Sequence, residues 1–159
     1  MNQKIRSLEE LGAQLSSDRE KGKKVVFTNG CFDLLHVGHI RYLQQARRMG
    51  DLLVVAINTD DSVRKLKGPS RPVQPEQDRA EILAGLECVD YVVSFEQETP
   101  LSVIEHLKPD VLVKGADWPA EQIVGRQEVE GSGGRVATIA YVEGVSTSAL
   151  IERICKTIQ

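Results

Sequence analysis

Two of the three histidines in this 159-residue chain, His36 and His39, stand three positions apart in the run Thr28-Asn29-Gly30-Cys31-Phe32-Asp33-Leu34-Leu35-His36-Val37-Gly38-His39. The run follows an apolar stretch, Val25-Val26-Phe27, and precedes Ile40, Leu43 and Ala46 at helical spacing, with Tyr42 between them and Gly50 as a stop. These patterns predict a strand, a turn at Asn29-Gly30, and a helix from about Gly38 to Met49. Two imidazoles three apart on a first helical turn share one face. That turn also gathers free backbone N–H groups and the positive end of the helix dipole, so an anionic phosphoryl group is its natural guest. Gly30 and Gly38 would let backbone approach such a group closely. Imidazoles beside phosphates keep or gain protons and can stabilise charge building on a transferring phosphorus. Metal ligation is the competing chemistry, but no carboxylate or cysteine trio accompanies the pair at ligand spacing, so no metal site is expected. Taken alone, such a pair is more often a surface cap with Gly38 as a turn.

The other candidates are weaker one by one. Lys67 lies in a loop broken by Gly68, Pro69, Pro72 and Pro75, where a lone lysine is usually solvated. Arg79, on the next helix, reads as a surface charge. Lys114 and Gly115 at a strand end, followed by Asp117 and Trp118, read as a strand cap and an ordinary loop with Trp118 over the core. Ser146, Thr147 and Ser148 suit the N-cap of a last helix, which is also a phosphate site. Cys31 is a small residue in a tight loop, and nothing beside it marks a nucleophile. No Gly-x-Gly-x-x-Gly follows the first strand and no P-loop lysine motif occurs.

The elements that must position these residues alternate. Leu8, Leu11 and Leu15 predict a helix from Ser7 to Arg19 stopped by Gly22, which makes 1–22 a helical lead-in to a domain spanning 23–159. Beyond the first strand and helix, the pattern predicts strands at Leu52–Ile57, Tyr91–Phe95, Val111–Val113 and Val136–Tyr141. Helices are predicted at Asp60–Leu66, Glu76–Leu86, Pro100–Leu107 and Ile123–Glu130, with a last one carrying Leu150, Ile151, Ile154 and Ile158 on one side. Strands that are apolar throughout and separated by helices imply a parallel sheet covered on both faces. The predicted fold is a single α/β domain, a doubly wound, Rossmann-like sheet, with ligands bound beyond the carboxyl ends of its strands.

Composition narrows the class. With 41% hydrophobic and 27% charged residues the chain is globular rather than disordered. A net charge of -3 argues against nucleic acid as a partner. No apolar run is long enough to span a bilayer, and the polar N-terminus has no secretory signal. Cys31, Cys88 and Cys155 are odd in number and unspaced, as suits a reducing cytoplasm. Oligomeric state is open, a homo-oligomer included.

The segment from Thr28 to His39 resembles the signature of the cytidylyltransferase-like nucleotidyltransferases, with its paired histidines split by Val37-Gly38. Lys65-Leu66-Lys67-Gly68, Ser70-Arg71-Pro72-Val73 and Asp78-Arg79 are similar to that family's lysine loop and following helix. Val113-Lys114-Gly115-Ala116-Asp117-Trp118 and Glu143-Gly144-Val145-Ser146-Thr147-Ser148 complete five ordered motifs between Val25 and Ile154. Within the superfamily the likeness is greatest to the adenylyltransferase domain of the bacterial heptose pathway, which is often fused to a sugar kinase; none is expected within these 159 residues.

The resemblance implies AMP transfer from ATP, with Mg²⁺, to a heptose 1-phosphate, giving ADP-heptose and pyrophosphate. His36 and His39 would flank the α-phosphate. Lys67 and the helix start at Ser146–Ser148 would hold the outer phosphates, and Arg79 would add a phosphate contact. Asn29, Gly30, Cys31, Phe32 and Gly38 would border the nucleotide, with Asp33 a candidate to orient Mg²⁺. Lys114, Gly115, Asp117 and Trp118 would line the acceptor pocket. Tyr141 departs from the arginine of relatives that use CTP, which favours ATP. A cytidylyltransferase for a polyol or amino-alcohol phosphate such as glycerol 3-phosphate, and a nucleotide-binding module without turnover, are the alternatives.

Overall fold

Leu52 to Ile57 contains no polar residue, and all of it is buried. Such a strand must be covered on both faces, and the computed structural model, which describes residues 2–159, shows how. Five strands, β1 (Val25–Gly30), β2 (Leu52–Asn58), β3 (Tyr91–Phe95), β4 (Val111–Gly115) and β5 (Arg135–Ile139), form one all-parallel sheet in the order β3-β2-β1-β4-β5. The helices are α1 (Leu8–Glu20), α2 (Val37–Arg47), α3 (Asp60–Lys67), α4 (Glu76–Ala84), α5 (Leu101–Leu107), α6 (Arg126–Gly131) and α7 (Thr147–Ile158). One face of the sheet packs on Leu11 and Leu15 of α1, Val103, Ile104 and Leu107 of α5, and Val129 of α6. The other packs on Leu43 and Ala46 of α2 and Ala80, Leu83 and Ala84 of α4. This is the predicted doubly wound α/β fold.

The chain winds from β1 outward to β3, then crosses back to place β4 on the other side of β1. The order therefore reverses between β1 and β4, and a ligand crevice is expected beyond their carboxyl ends. The segments after β1 and β4 carry His36, His39, Asp117 and Trp118, while Lys67, Arg79 and Ser146–Ser148 come from α3, α4 and the start of α7.

The lead-in is tied to the sheet. Val92 of β3 donates its N–H to the Lys4 carbonyl at 2.9 Å and accepts from the Arg6 N–H at 3.0 Å, extending the edge beyond β3. Ser7 caps α1 in a reciprocal capping box with Glu10, which explains where that helix starts.

Three elements differ from the sequence pattern for physical reasons. The helix predicted over Ile123–Glu130 is instead a 3₁₀ turn at Ala120–Gln122 and then α6. Gly125 between them has φ +87°, and a Cβ there would collide with Ile104, so the break is built into the packing against α5. The last strand stops at Ile139, and Tyr141 turns back over β4 instead of extending β5. Helix α7 forms with its apolar stripe, yet no residue of it is buried; Ile154 and Ile158 are exposed.

Candidate active site

His36 is the N-cap residue of α2. Its Nδ1 accepts the N–H of Gly38 at 3.1 Å and of His39 at 3.4 Å, while His39 Nδ1 accepts the His36 N–H at 3.4 Å. Histidine thus performs the reciprocal capping usually done by serine and glutamate. The rings stack with centroids 3.9 Å apart, and Phe32 lies 5.3 Å from His39. Because both Nδ1 atoms accept, the proton of each neutral ring sits on Nε2, an assignment made by the hydrogen-bond network.

Protonation in the free protein is set by burial. Burial lowers the His36 pKa, and burial followed by the neighbouring His36 pushes His39 down to about 4. Both rings are therefore neutral Nε2–H donors in the free protein. Only an arriving polyanion would pull their pKa values back up.

Gly30 and Gly38 also serve the packing of the loop itself. A Cβ on Gly30 would lie 3.0 Å from the Phe32 ring, and one on Gly38 would lie 3.0 Å from the His36 ring. The glycines make room for the molecule's own rings. Phe32 itself is 7% exposed, with φ 47°, so its ring belongs to the core and supports His39 from behind. Holding a non-glycine residue in that region costs about 1 kcal/mol or more, an outlier typical of sites that must be pre-shaped.

Asp33 and Arg79 also depart from their sequence-based roles. Asp33 is buried and accepts from Arg71 Nε at 2.6 Å, from the Val73 N–H at 2.9 Å and from the Gln74 N–H at 3.0 Å. Burial raises its carboxyl pKa, but the Gln74 and Val73 N–H groups and Arg71 outweigh that and hold it below the usual range. Both oxygens are engaged, so Asp33 is no Mg²⁺ ligand. Arg79, predicted to touch phosphate, is buried at 1% exposure. Its guanidinium donates to the Gln74 carbonyl at 3.1 Å, the Cys31 carbonyl at 2.8 Å and Asp60 at 2.8 Å. It fastens the β1–α2 loop to the segment after α3 from inside. Asp60 and the two carbonyls lie 5 to 48 positions away in sequence, which no local pattern reveals.

Other candidates gather at the carboxyl ends of β1 and β4. Lys114, at the end of β4, pairs with the Asn29 side chain at the end of β1. Burial pushes its pKa down to about 8, against the pull of Asp117. Tyr42 of α2, Thr28 and the Val113 carbonyl form a buried triangle with distances of 2.8 to 3.2 Å, which ties α2 to both strands. The Tyr141 phenol lies over Gly115, where any side chain would overlap it; burial, then Asp117, raises its pKa. Trp118 is half exposed at the rim rather than tucked over the core.

At the other side of the crevice, Ser146 Oγ caps α7 by accepting the Ala149 N–H at 3.0 Å. Thr147 Oγ1 donates to the Leu34 carbonyl at 3.1 Å, which brings the start of α7 to the loop before His36, with Ser148 exposed. Lys67 is exposed at the end of α3, and its charge, with those of Arg79 and Arg71, acts on Cys31. Burial outweighs these cations and raises the Cys31 thiol, so it is no activated nucleophile. Among the described residues, no group of three or more His, Cys, Asp and Glu could hold a metal ion. A cavity of about 550 Å³ lined by Leu101, Ile123, Arg126 and Glu130 lies at the α5–α6 junction and includes none of these residues.

Comparison with known proteins agrees with this geometry. The profile of the family described as "Cytidylyltransferase-like" matches residues 27–153. Bifunctional protein HldE of Citrifermentans bemidjiense is 59% identical over 151 residues, covering 95% of this chain and 31% of the relative. The same-named protein of Syntrophotalea carbinolica is 60% identical with the same coverage. The chain thus spans about a third of the length of these relatives. Among solved structures, a lipopolysaccharide core biosynthesis protein from Thermoplasma volcanium superposes with TM-score 0.62 at 28% identity, covering 76% of this chain and 98% of the other. Pantoate-beta-alanine ligase from Francisella tularensis, at TM-score 0.60 and 16% identity over 96% of this chain and 78% of its own, shares the fold alone. No helix among the described residues is long and apolar enough to cross a membrane. With its histidine-capped helix beside the β1/β4 switch point and a match over residues 27–153, the chain belongs to the cytidylyltransferase-like family, as a nucleotidyltransferase.

Proposed function

We propose that the chain transfers AMP from ATP to D-glycero-β-D-manno-heptose 1-phosphate, releasing pyrophosphate and forming ADP-heptose. The observation that carries the reaction class is the stacked, neutral pair of His36 and His39 capping α2 beside the β1/β4 switch point. The motif resemblance to the heptose-pathway adenylyltransferase domain supports the substrate. So does the 52–60% identity to the bifunctional relatives, and the core-biosynthesis protein among the structural neighbours. Tyr141 over Gly115, in place of an arginine, supports ATP as donor.

In this reaction the acceptor phosphate is already an anionic nucleophile, so no general base is needed. One of its oxygens attacks the α-phosphorus in line; the new P–O bond forms as the bond to the β-phosphate oxygen breaks, and pyrophosphate carries away the charge. His36 and His39 direct two Nε2–H donors at the α-phosphate oxygens, where charge grows in the transition state. Lys67 and the hydroxyl-rich start of α7 at Ser146, Thr147 and Ser148 face the β- and γ-phosphates. Asn29, Gly30, Cys31, Phe32 and Gly38 shape the nucleotide side. Lys114 meets the sugar phosphate, Gly115 gives Tyr141 its place, and Asp117 accepts from ring hydroxyls, with Trp118 at the rim. Mg²⁺ arriving with the triphosphate would supply charge neutralisation for the leaving pyrophosphate; among the described residues no cluster of three or more His, Cys, Asp and Glu could hold it.

The free cysteines are consistent with work in a reducing cytoplasm. A screen of ATP and CTP against heptose 1-phosphate, other sugar phosphates and glycerol 3-phosphate, read by pyrophosphate release, tests the proposal. ATP with heptose 1-phosphate should be fastest; faster release from CTP with glycerol 3-phosphate would overturn it.

A further inference from the structure

Arg71 is a residue for which the sequence suggests no role of its own. It lies in the segment between α3 and α4, four positions after Lys67, and its N–H closes a turn on the Gly68 carbonyl at 3.2 Å. Its Nε donates to Asp33 at 2.6 Å, with the Asp33 side chain 1% exposed and that of Arg71 16% exposed. Among the described residues, its side-chain hydrogen bonding runs through Nε alone. Both terminal nitrogens are left without an acceptor, and neither is sealed from solvent. An arginine held by Nε on a buried carboxylate is fixed in orientation, with its Nη pair presented as a fork.

The location favours an anionic guest. Asp33 is three residues before His36, on the loop that carries the histidine pair, and Arg71 and Lys67 both act on Cys31 of that loop. The contrast with Arg79 is direct: its three nitrogens all have protein acceptors, and it is buried.

We infer that Arg71, oriented by Asp33, is a triphosphate-binding residue that grips the outer phosphates of the donor beside Lys67. This rests on the proposed nucleotidyl transfer and adds a specific ligand to its donor side. Asp33 is then a positioning residue that acts through Arg71, and the two phosphate-facing cations, Lys67 at the end of α3 and Arg71 at the end of the turn that follows, are four positions apart.

The test is equilibrium binding of MgATP and of AMP to the full chain, with pyrophosphate release measured in parallel. Arg71→Ala should weaken MgATP by roughly tenfold or more, as for loss of a charge-assisted fork, and AMP by less than about twofold. Arg71→Lys, which keeps the charge but cannot both hold Asp33 and present a fork, should fall between. Asp33→Asn should reproduce the selective loss of MgATP over AMP, a pattern that general loosening of the fold would not give. Equal weakening of both nucleotides, or unchanged MgATP affinity in folded Arg71→Ala, would overturn the inference. Unchanged affinity in Arg71→Ala with normal pyrophosphate release by the wild type rejects Arg71 and leaves the proposed reaction standing. Selective loss of MgATP in a protein that releases no pyrophosphate with any sugar phosphate supports Arg71 and rejects the reaction.

Discussion

Replacing His39 with asparagine separates two things its imidazole does. Nδ1 accepts the His36 N–H at 3.4 Å and so completes the cap of α2, while Nε2–H is the proposed donor to the reacting phosphate. Asparagine Oδ1 can take over the cap, but nothing on that side chain reaches where Nε2 was. Loss of one transition-state donor costs on the order of a hundredfold or more in kcat, about 2.7 kcal/mol in the barrier. His39→Asn should therefore lose roughly that factor while its melting temperature stays close to wild type. His39→Ala should lose the same rate and, in addition, about 1 kcal/mol of capping, which is roughly 2–4 °C in a chain of this size. A pyrophosphate-release assay paired with a thermal melt reads both quantities. A His39→Asn protein within about threefold of wild-type kcat would refute the reasoning, because the capping role alone would then account for the residue.

Other predictions follow from the same geometry. Lys67→Ala should raise the KM for ATP more than that for the acceptor, and make the rate less sensitive to salt, since one exposed charged contact is removed; an effect confined to the acceptor KM would contradict the donor-side placement. His39 has a folded pKa of about 4 against an unfolded value near 6.5, so the unfolded chain binds the proton first. Its contribution is complete above about pH 6.5 and is lost as pH falls towards 4; discounted for partial exposure it is about 1–2 kcal/mol. Denaturant titrations from pH 7.5 to 4 should show His39→Asn losing less stability than wild type across that window, and parallel curves would count against it. Arg79→Met should destabilise by about 3 kcal/mol in urea, because it strands Asp60 and two carbonyls; a fully stable variant with lost ATP affinity would restore Arg79 to the phosphates.

The sequence reveals those parts of the molecule that depend on local spacing. Five strands and the helices between them follow from apolar runs and 3.6-residue periodicity, and Tyr91–Phe95 even has its observed ends. The placement of His36 and His39 on the first turn of α2 follows from the turn chemistry before it and the helical pattern after it. What spacing does not reveal is the reach of long side chains across the fold. Arg79 and Arg71 look alike in a chain of letters, yet one guanidinium is buried under the β1–α2 loop and the other is held at its edge by Asp33. The glycines hide a second demand for a similar reason: Gly30 and Gly38 are needed by Phe32 and His36, neighbours whose ring directions are set only in the fold. The break before α6 comes from Ile104 pressing on Gly125 across 21 positions, which helical periodicity alone passes over.

The central claim, transfer of the α-phosphorus with its nucleoside to a sugar phosphate, has one direct measurement. The protein is mixed with Mg²⁺, ATP labelled at the α-phosphorus and heptose 1-phosphate, and the products are separated. The account predicts that the label appears in ADP-heptose, with one pyrophosphate released for each molecule formed. Label that stays in ATP or emerges only as free AMP, under conditions where α-labelled CTP and glycerol 3-phosphate do yield a labelled product, would contradict it.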